Sequence, residues 1–170
     1  MKVTNTLKNV LFPFSFLCLL IFTGCNPEDT EPEIIPETTI NKALLLQLVN
    51  EYRQNGCRCG DTDFEPTTAL SWSYTLELVA LDHTIDMEKH GFLLHTGSDG
   101  SDVDVRAIRR NYDWGFIGEN IARYFYTEQS VIIGWIESPD HCENIMNPNY
   151  RDMGIARVGD YWTQVMGKLR

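Results

Sequence analysis

Apolar residues at Leu44, Leu45, Leu48, Val49 and Tyr52 recur at the spacing of one helix face, and Gly56 ends the run. They predict a first amphipathic helix. A second helix is expected from a Ser73 cap to about His90, with Gly91 as its C-terminal stop. Its apolar face is Leu76, Val79, Ala80, His83 and Met87, so His83 reads as a core histidine and not as a ligand. A short helix follows over Val103–Arg110, capped by Ser101 or Asp102, its three arginines on a solvated face. Thr127 caps a further helix carrying Val131, Ile132, Trp135 and Ile136, ended at Ser138 by Pro139. His141 and Cys142 then sit just past that stop. Met153 to Val158 and Tyr161 to Met166, joined by Gly159-Asp160, read as a β-hairpin. Cys57 to Ser71 and Phe92 to Asp102 are expected to be loops, and Asn147-Pro148-Asn149 marks a turn.

The N-terminus follows a different pattern. Lys2 and Lys8 precede an apolar run from Val10 to Phe22, broken by Pro13 and Ser15. The run falls short of the roughly 20 residues a membrane span needs, but it suits the core of a signal peptide. It ends in Gly24-Cys25, which resembles a bacterial lipoprotein cleavage box; the alternative is a plain secretory signal with an incidental cysteine. The expected organisation is a signal over residues 1–24, an acidic, proline-rich tether over 25–39 and a folded domain over 40–170. The mature protein would be exported and held to the membrane only by a lipid on Cys25, on the periplasmic or cell-surface side.

Loss of Lys2 and Lys8 with the signal takes the formal charge from −10 to −12. Nucleic acid needs a basic footprint, so nucleic-acid binding is excluded. Export also bears on the cysteines, since disulfides persist in oxidising compartments. Cys57, Cys59 and Cys142 remain in the domain. Cys57 and Cys59 are poorly placed to pair with each other, so one of them reaches Cys142 and the other is spare. A three-thiol zinc site is the rival arrangement.

Candidate chemistry centres on Tyr112 to Ala122, where Glu119 stands in apolar sequence. A carboxylate buried there needs a partner or a metal. His95 and His141, both in polar, turn-like contexts, are the groups expected to meet it. The Gly-spaced acidic run after His95 lacks EF-hand spacing and reads as a solvated turn. Ser98 or Ser138 as a hydrolase nucleophile lacks the Gly-x-Ser-x-Gly elbow.

Asn50-Glu51-Tyr52-Arg53, Leu70-Ser71-Trp72, Phe92-Leu93-Leu94-His95-Thr96-Gly97, Gly118-Glu119-Asn120-Ile121-Ala122, Gly134-Trp135 with Ser138-Pro139-Asp140-His141, and Tyr161-Trp162-Thr163-Gln164-Val165 occur in one order. In that order they resemble the bacterial branch of the CAP superfamily (cysteine-rich secretory proteins, antigen 5, pathogenesis-related proteins), also called SCP domains, from about Ile40 onward. The resemblance implies an α+β fold, a three-layer α-β-α sandwich with a central antiparallel sheet. It also implies a cleft with histidines and glutamates able to bind a divalent metal such as zinc. Carried over by motif, His95 and Glu119 match the first histidine and the Gly-Glu-Asn glutamate. His141 and Tyr161 compete for the second histidine, and His141 is favoured. The second glutamate's position holds Ser138, and Glu137 would point about 100° away on a helix. The implied metal set is therefore His95, Glu119 and His141, two imidazoles and one carboxylate with an open position. Cys59 adjoins Gly60 as the family's bridging cysteine adjoins glycine, which implies a Cys59–Cys142 disulfide. The function expected is a binding module for a small ligand, a lipid or an envelope protein, with a metal-dependent envelope hydrolase as the alternative.

Overall fold

The computed structural model of the chain describes residues 39–170, so the expected signal, the Cys25 anchor and nearly all of the tether lie outside the described residues. Helix α1 spans Lys42–Asn55, and the Asn41 side chain accepts from the Leu44 amide as its cap. The segment expected to be a loop instead opens with a small hairpin, β1 (Cys57–Cys59) and β2 (Thr62–Phe64), followed by β3 (Ser71–Trp72). Strands of two or three residues carry too little period-2 signal to be read from the sequence. Helix α2 (Tyr74–His90) is capped by the Ser73 hydroxyl and ends at Gly91 in the left-handed conformation, as its end residues predict. Helix α3 (Val103–Arg109) leads into β4 (Trp114–Arg123). Helix α4 (Glu128–Glu137) starts from a capping box between Thr127 and Ser130. Helix α5 (Pro139–Met146) then begins where the sequence suggests only a stop. Pro139 ends α4 and also starts α5, because a proline at the first helical position gives up an amide that would be unpaired anyway. Strands β5 (Asp152–Val158) and β6 (Tyr161–Leu169) form the expected hairpin.

The main sheet runs β3-β5-β6-β4. It is antiparallel except that the two-residue β3 pairs parallel with β5. Strand β4 forms one edge. Both faces of the sheet are covered. On one face Met153, Ile155, Trp162 and Met166 pack with Leu45 and Val49 of α1, Ile132 and Trp135 of α4, and Ile145 and Met146 of α5. On the other, Ala156 and Val165 pack with Leu76, Val79 and Ala80 of α2 and Ala107 of α3. Alternate residues of β5 and β6 thus serve opposite cores, which makes three layers: helices, sheet, helices. At Gly154 a Cβ would collide with the backbone of Leu76 and Glu77, so α2 lies directly on β5 because a glycine is there.

The first helix also holds α5 in place. The fully buried Arg53 donates to the carbonyls of Thr68, Ile145 and Asn147 at 2.8, 2.5 and 3.0 Å. Asn50 exchanges two hydrogen bonds with the backbone of Leu70. These contacts explain why the Asn50 to Arg53 motif matters to the fold.

Candidate functional site

Because strand residues alternate in direction, the edge strand β4 sends Glu119 toward α2 and α3 and Asn120 toward α5. Glu119 is buried, its side chain 2% exposed. One carboxylate oxygen, Oε1, accepts from His95 Nδ1 at 2.9 Å, and Oε2 accepts from Arg106 Nη2 at 2.7 Å. Arg106 is fixed in turn by the carbonyls of Ser101 and His95, at 2.5 and 3.1 Å. His83 Nε2 donates to the Leu94 carbonyl at 2.9 Å and lies 3.8 Å from Glu119 Oε1. It is a fully buried core histidine and also a wall of the carboxylate's pocket.

The solvated face expected for the three arginines is corrected at Arg106, which is buried as the main partner of Glu119. A signal for this is present in the sequence. Val103, Arg106 and Ala107 share one helix face at i, i+3 and i+4, and Ala107 is wholly buried. Arg109 and Arg110 reach other carboxylates, those of Asp99 and Asp82.

On the Asn120 side the contacts are neutral. Asn120 donates to Gln164 Oε1 at 3.0 Å and to the His141 carbonyl at 3.2 Å. Asn144 donates to Asn120 Oδ1 at 2.9 Å and to the Glu119 carbonyl at 3.1 Å, and accepts from the Tyr150 hydroxyl at 2.9 Å. Gly118 faces the same group; a Cβ there would strike Tyr150 and Asn144. Sequence reasoning singles out none of Asn120, Asn144 and Gln164, although Asn120 and Gln164 lie within quoted motifs.

His95, Glu119 and His141 line one cleft of about 660 Å³, together with Phe64, Asn120, Asp140, Glu143, Asn144, Asn147 and Pro148. The structure joins His95 to Glu119 directly. His141 shares the cleft but approaches it from α5, on the other side of β4. The hydrogen bond to Glu119 raises the His95 pKa above the ordinary histidine value. Burial lowers that of His141, and the charge on His95 lowers it further. Burial lowers that of His83 as well, against the pull of the Glu119 charge.

The three residues of the implied metal set share the cleft but do not close into one three-ligand group. Among the described residues, the ligand-type atoms that gather in threes within 4.8 Å are the sulfurs of Cys57, Cys59 and Cys142, and not His95, Glu119 and His141. Both oxygens of Glu119 are already engaged, one of them by a guanidinium, so the carboxylate is no free ligand, whereas His95 spends only Nδ1 on it. The sulfur group could hold a metal only with its disulfide open, since Cys59 and Cys142 are bonded to each other with Cα atoms 5.4 Å apart. Cys57 is a free thiol.

The sequence profile described as the cysteine-rich secretory protein family, CAP, matches residues 46–166. Over 95 residues, 56% of this chain and 28% of the other, the chain is 26% identical to the uncharacterized membrane protein YlbC of Bacillus subtilis. It therefore spans little more than a quarter of that relative's length. Among solved structures it is similar to an extracellular protein containing an SCP domain from Bacillus anthracis: TM-score 0.64, 22% identity, 74% of this chain and 39% of that one. It is similar also to an outer surface protein of Borrelia burgdorferi, with TM-score 0.64, 21% identity, and coverage of 75% of this chain and 92% of that one.

Proposed function

We propose, for a chain that belongs to the cysteine-rich secretory protein (CAP) family, that it is an exported, lipid-anchored binding module whose cleft takes a polar ligand at the cell envelope. The observation that carries this reading is the engagement of both Glu119 oxygens by Arg106 and His95. A carboxylate neutralised in this way organises a site; it is not a free base. Ser98 offers no replacement nucleophile, since it donates to Asp86 and faces a different pocket. The cleft lining supports a ligand bearing hydroxyl, amide or amine groups. Asp140, Glu143, Asn144, Asn147 and the two imidazoles supply donors and acceptors, and Phe64 supplies an apolar wall. An acidic protein with an acidic rim disfavours anionic ligands.

Export and anchoring rest on the apolar run before Gly24-Cys25. No described helix is long and apolar enough to cross a membrane. Metabolic labelling with a fatty-acid analogue should mark the wild type and not Cys25→Ser.

The binding reading is tested by NMR of histidine-labelled protein, titrated with a short lysine-containing peptide and with an N-acetylated amino-sugar oligomer. The His95 and His141 ring signals should shift saturably with at least one probe, and Asn144→Ala should abolish the shift. Hydrolysis of either probe that disappears in Glu119→Gln would overturn the reading in favour of the hydrolase. Zinc bound at one equivalent in wild type, and lost in His95→Ala, would restore the metal site.

A further inference from the structure

The Cys59–Cys142 disulfide has an unusual neighbour. Cys57 Sγ lies 3.6 Å from Cys142 Sγ and 3.9 Å from Cys59 Sγ, so a free thiol stands beside both bridged sulfurs. Cys57 and Cys59 are two residues apart on β1, which turns both side chains to one face of the strand, toward α5. Both bridged cysteines are buried, at 1% and 0% exposure, whereas Cys57 is half-exposed. An outside thiol or oxidant therefore meets Cys57 first.

We propose that Cys57 is a resident exchange thiol that moves the bridge between Cys59–Cys142 and Cys57–Cys142. In the forward step Cys57 gives its proton to solvent, its side chain swings into line with the Cys59–Cys142 bond, and its thiolate attacks Cys142 Sγ. The Cys57–Cys142 bond forms, the Cys59–Cys142 bond breaks, and Cys59 leaves as a thiolate that takes up a proton. No electrons are gained or lost, so the step needs no outside oxidant or reductant. Attack on Cys142 is favoured over attack on Cys59, because a Cys57–Cys59 bridge would have to close between Cα atoms about 6.6 Å apart along an extended strand, near the upper limit for a disulfide.

The place of the exchange gives it a consequence. The bridge ties the β1–β2 hairpin to α5, and Gly60 of the hairpin faces Pro139 at the start of α5. Phe64 of the hairpin and His141 and Asn144 of α5 line the cleft from these two elements. Exchange shifts the covalent tie between them by two residues along β1.

Trypsin cuts after Arg58 and so separates Cys57 from Cys59, which makes the isomers distinguishable. The folded protein is held in mildly alkaline buffer without added thiol, trapped with N-ethylmaleimide and mapped by mass spectrometry. The expected result is label shared between Cys57 and Cys59, with Cys142 found cross-linked to each in matching proportion. Label confined to Cys57 overturns the proposal. Independently, folded Cys59→Ser placed in a glutathione redox buffer should close a Cys57–Cys142 bridge almost completely; two free thiols in that variant, with native circular dichroism, would also overturn it. Cys57→Ser should show the Cys59–Cys142 bridge alone.

Discussion

The two sides of β4 solve the same problem by different means. Toward α2 and α3, Glu119 is buried as a charge and met by charge, from Arg106 and His95. Toward α5, Asn120 is buried as a neutral amide and met by amides, a hydroxyl-backed asparagine and a backbone carbonyl. Adjacent residues of one strand thus sit in opposite electrostatic regimes, separated only by the sheet. The difference shows where a mutation should hurt most. Removing one member of a buried ion pair strands a charge, whereas removing one amide strands a dipole.

The largest effect is therefore expected on the charged side. Arg106→Met should destabilise by about 3–5 kcal/mol, the usual cost of leaving a buried charge uncompensated. Urea denaturation measures it. The double variant Arg106→Met with Glu119→Leu removes both charges and should recover most of that loss. If the double variant is as unstable as the sum of the singles, the pair is not the coupled unit described here.

On the neutral side a smaller loss is expected. Asn120→Ala leaves Asn144 and Gln164 short of a partner and should cost about 1–3 kcal/mol. Asn120→Asp brings a carboxylate against the Gln164 and Asn144 side chains and next to Glu119 in sequence, and should cost more than alanine. An Asn120→Ala loss equal to that of Arg106→Met would erase the contrast between the two sides.

How far the sequence discloses this arrangement differs between the two sides too. The helices α1, α2 and α4, with the β5–β6 hairpin, are legible because period and caps agree, as at Ser73, Gly91 and Thr127. The meeting of His95 and Glu119 is legible through the order of motifs. Arg106 is hidden among three arginines on a seven-residue helix, where an apolar stripe has barely two turns in which to show. Helix α5 is hidden by the double meaning of proline, which stops one helix and starts the next. That omission affects His141 most, because a residue read as loop turns out to be held by a helix on the far side of the edge strand. Periodicity assigns a residue to a face of its own element; it does not say which face of the sheet that element will cover.

The smallest expected effect, and the finest test of the contrast, is the pH dependence. His95 has its pKa raised by Glu119, so its contribution to stability is fully present below the unfolded histidine value of about 6.5 and is lost as pH rises through its folded pKa. His83 and His141 have theirs lowered by burial, so the unfolded chain takes up protons first as pH falls below about 6.5, and stability declines there. The two limbs oppose each other, and stability should pass through a shallow maximum near pH ~6.5. The upper limb should be the gentler one, since the His95 side chain is 55% exposed and solvent screens its pairing. Urea midpoints measured across this range should show the dome in wild type. His95→Ala should flatten the upper limb alone and, by removing a neighbouring positive charge, move the His141 NMR titration back toward the ordinary value. Glu119→Gln should lower the His95 midpoint. A His95 midpoint unmoved by that substitution would mean that the carboxylate does not hold the imidazole, and that the charged side of the strand is organised by Arg106 alone.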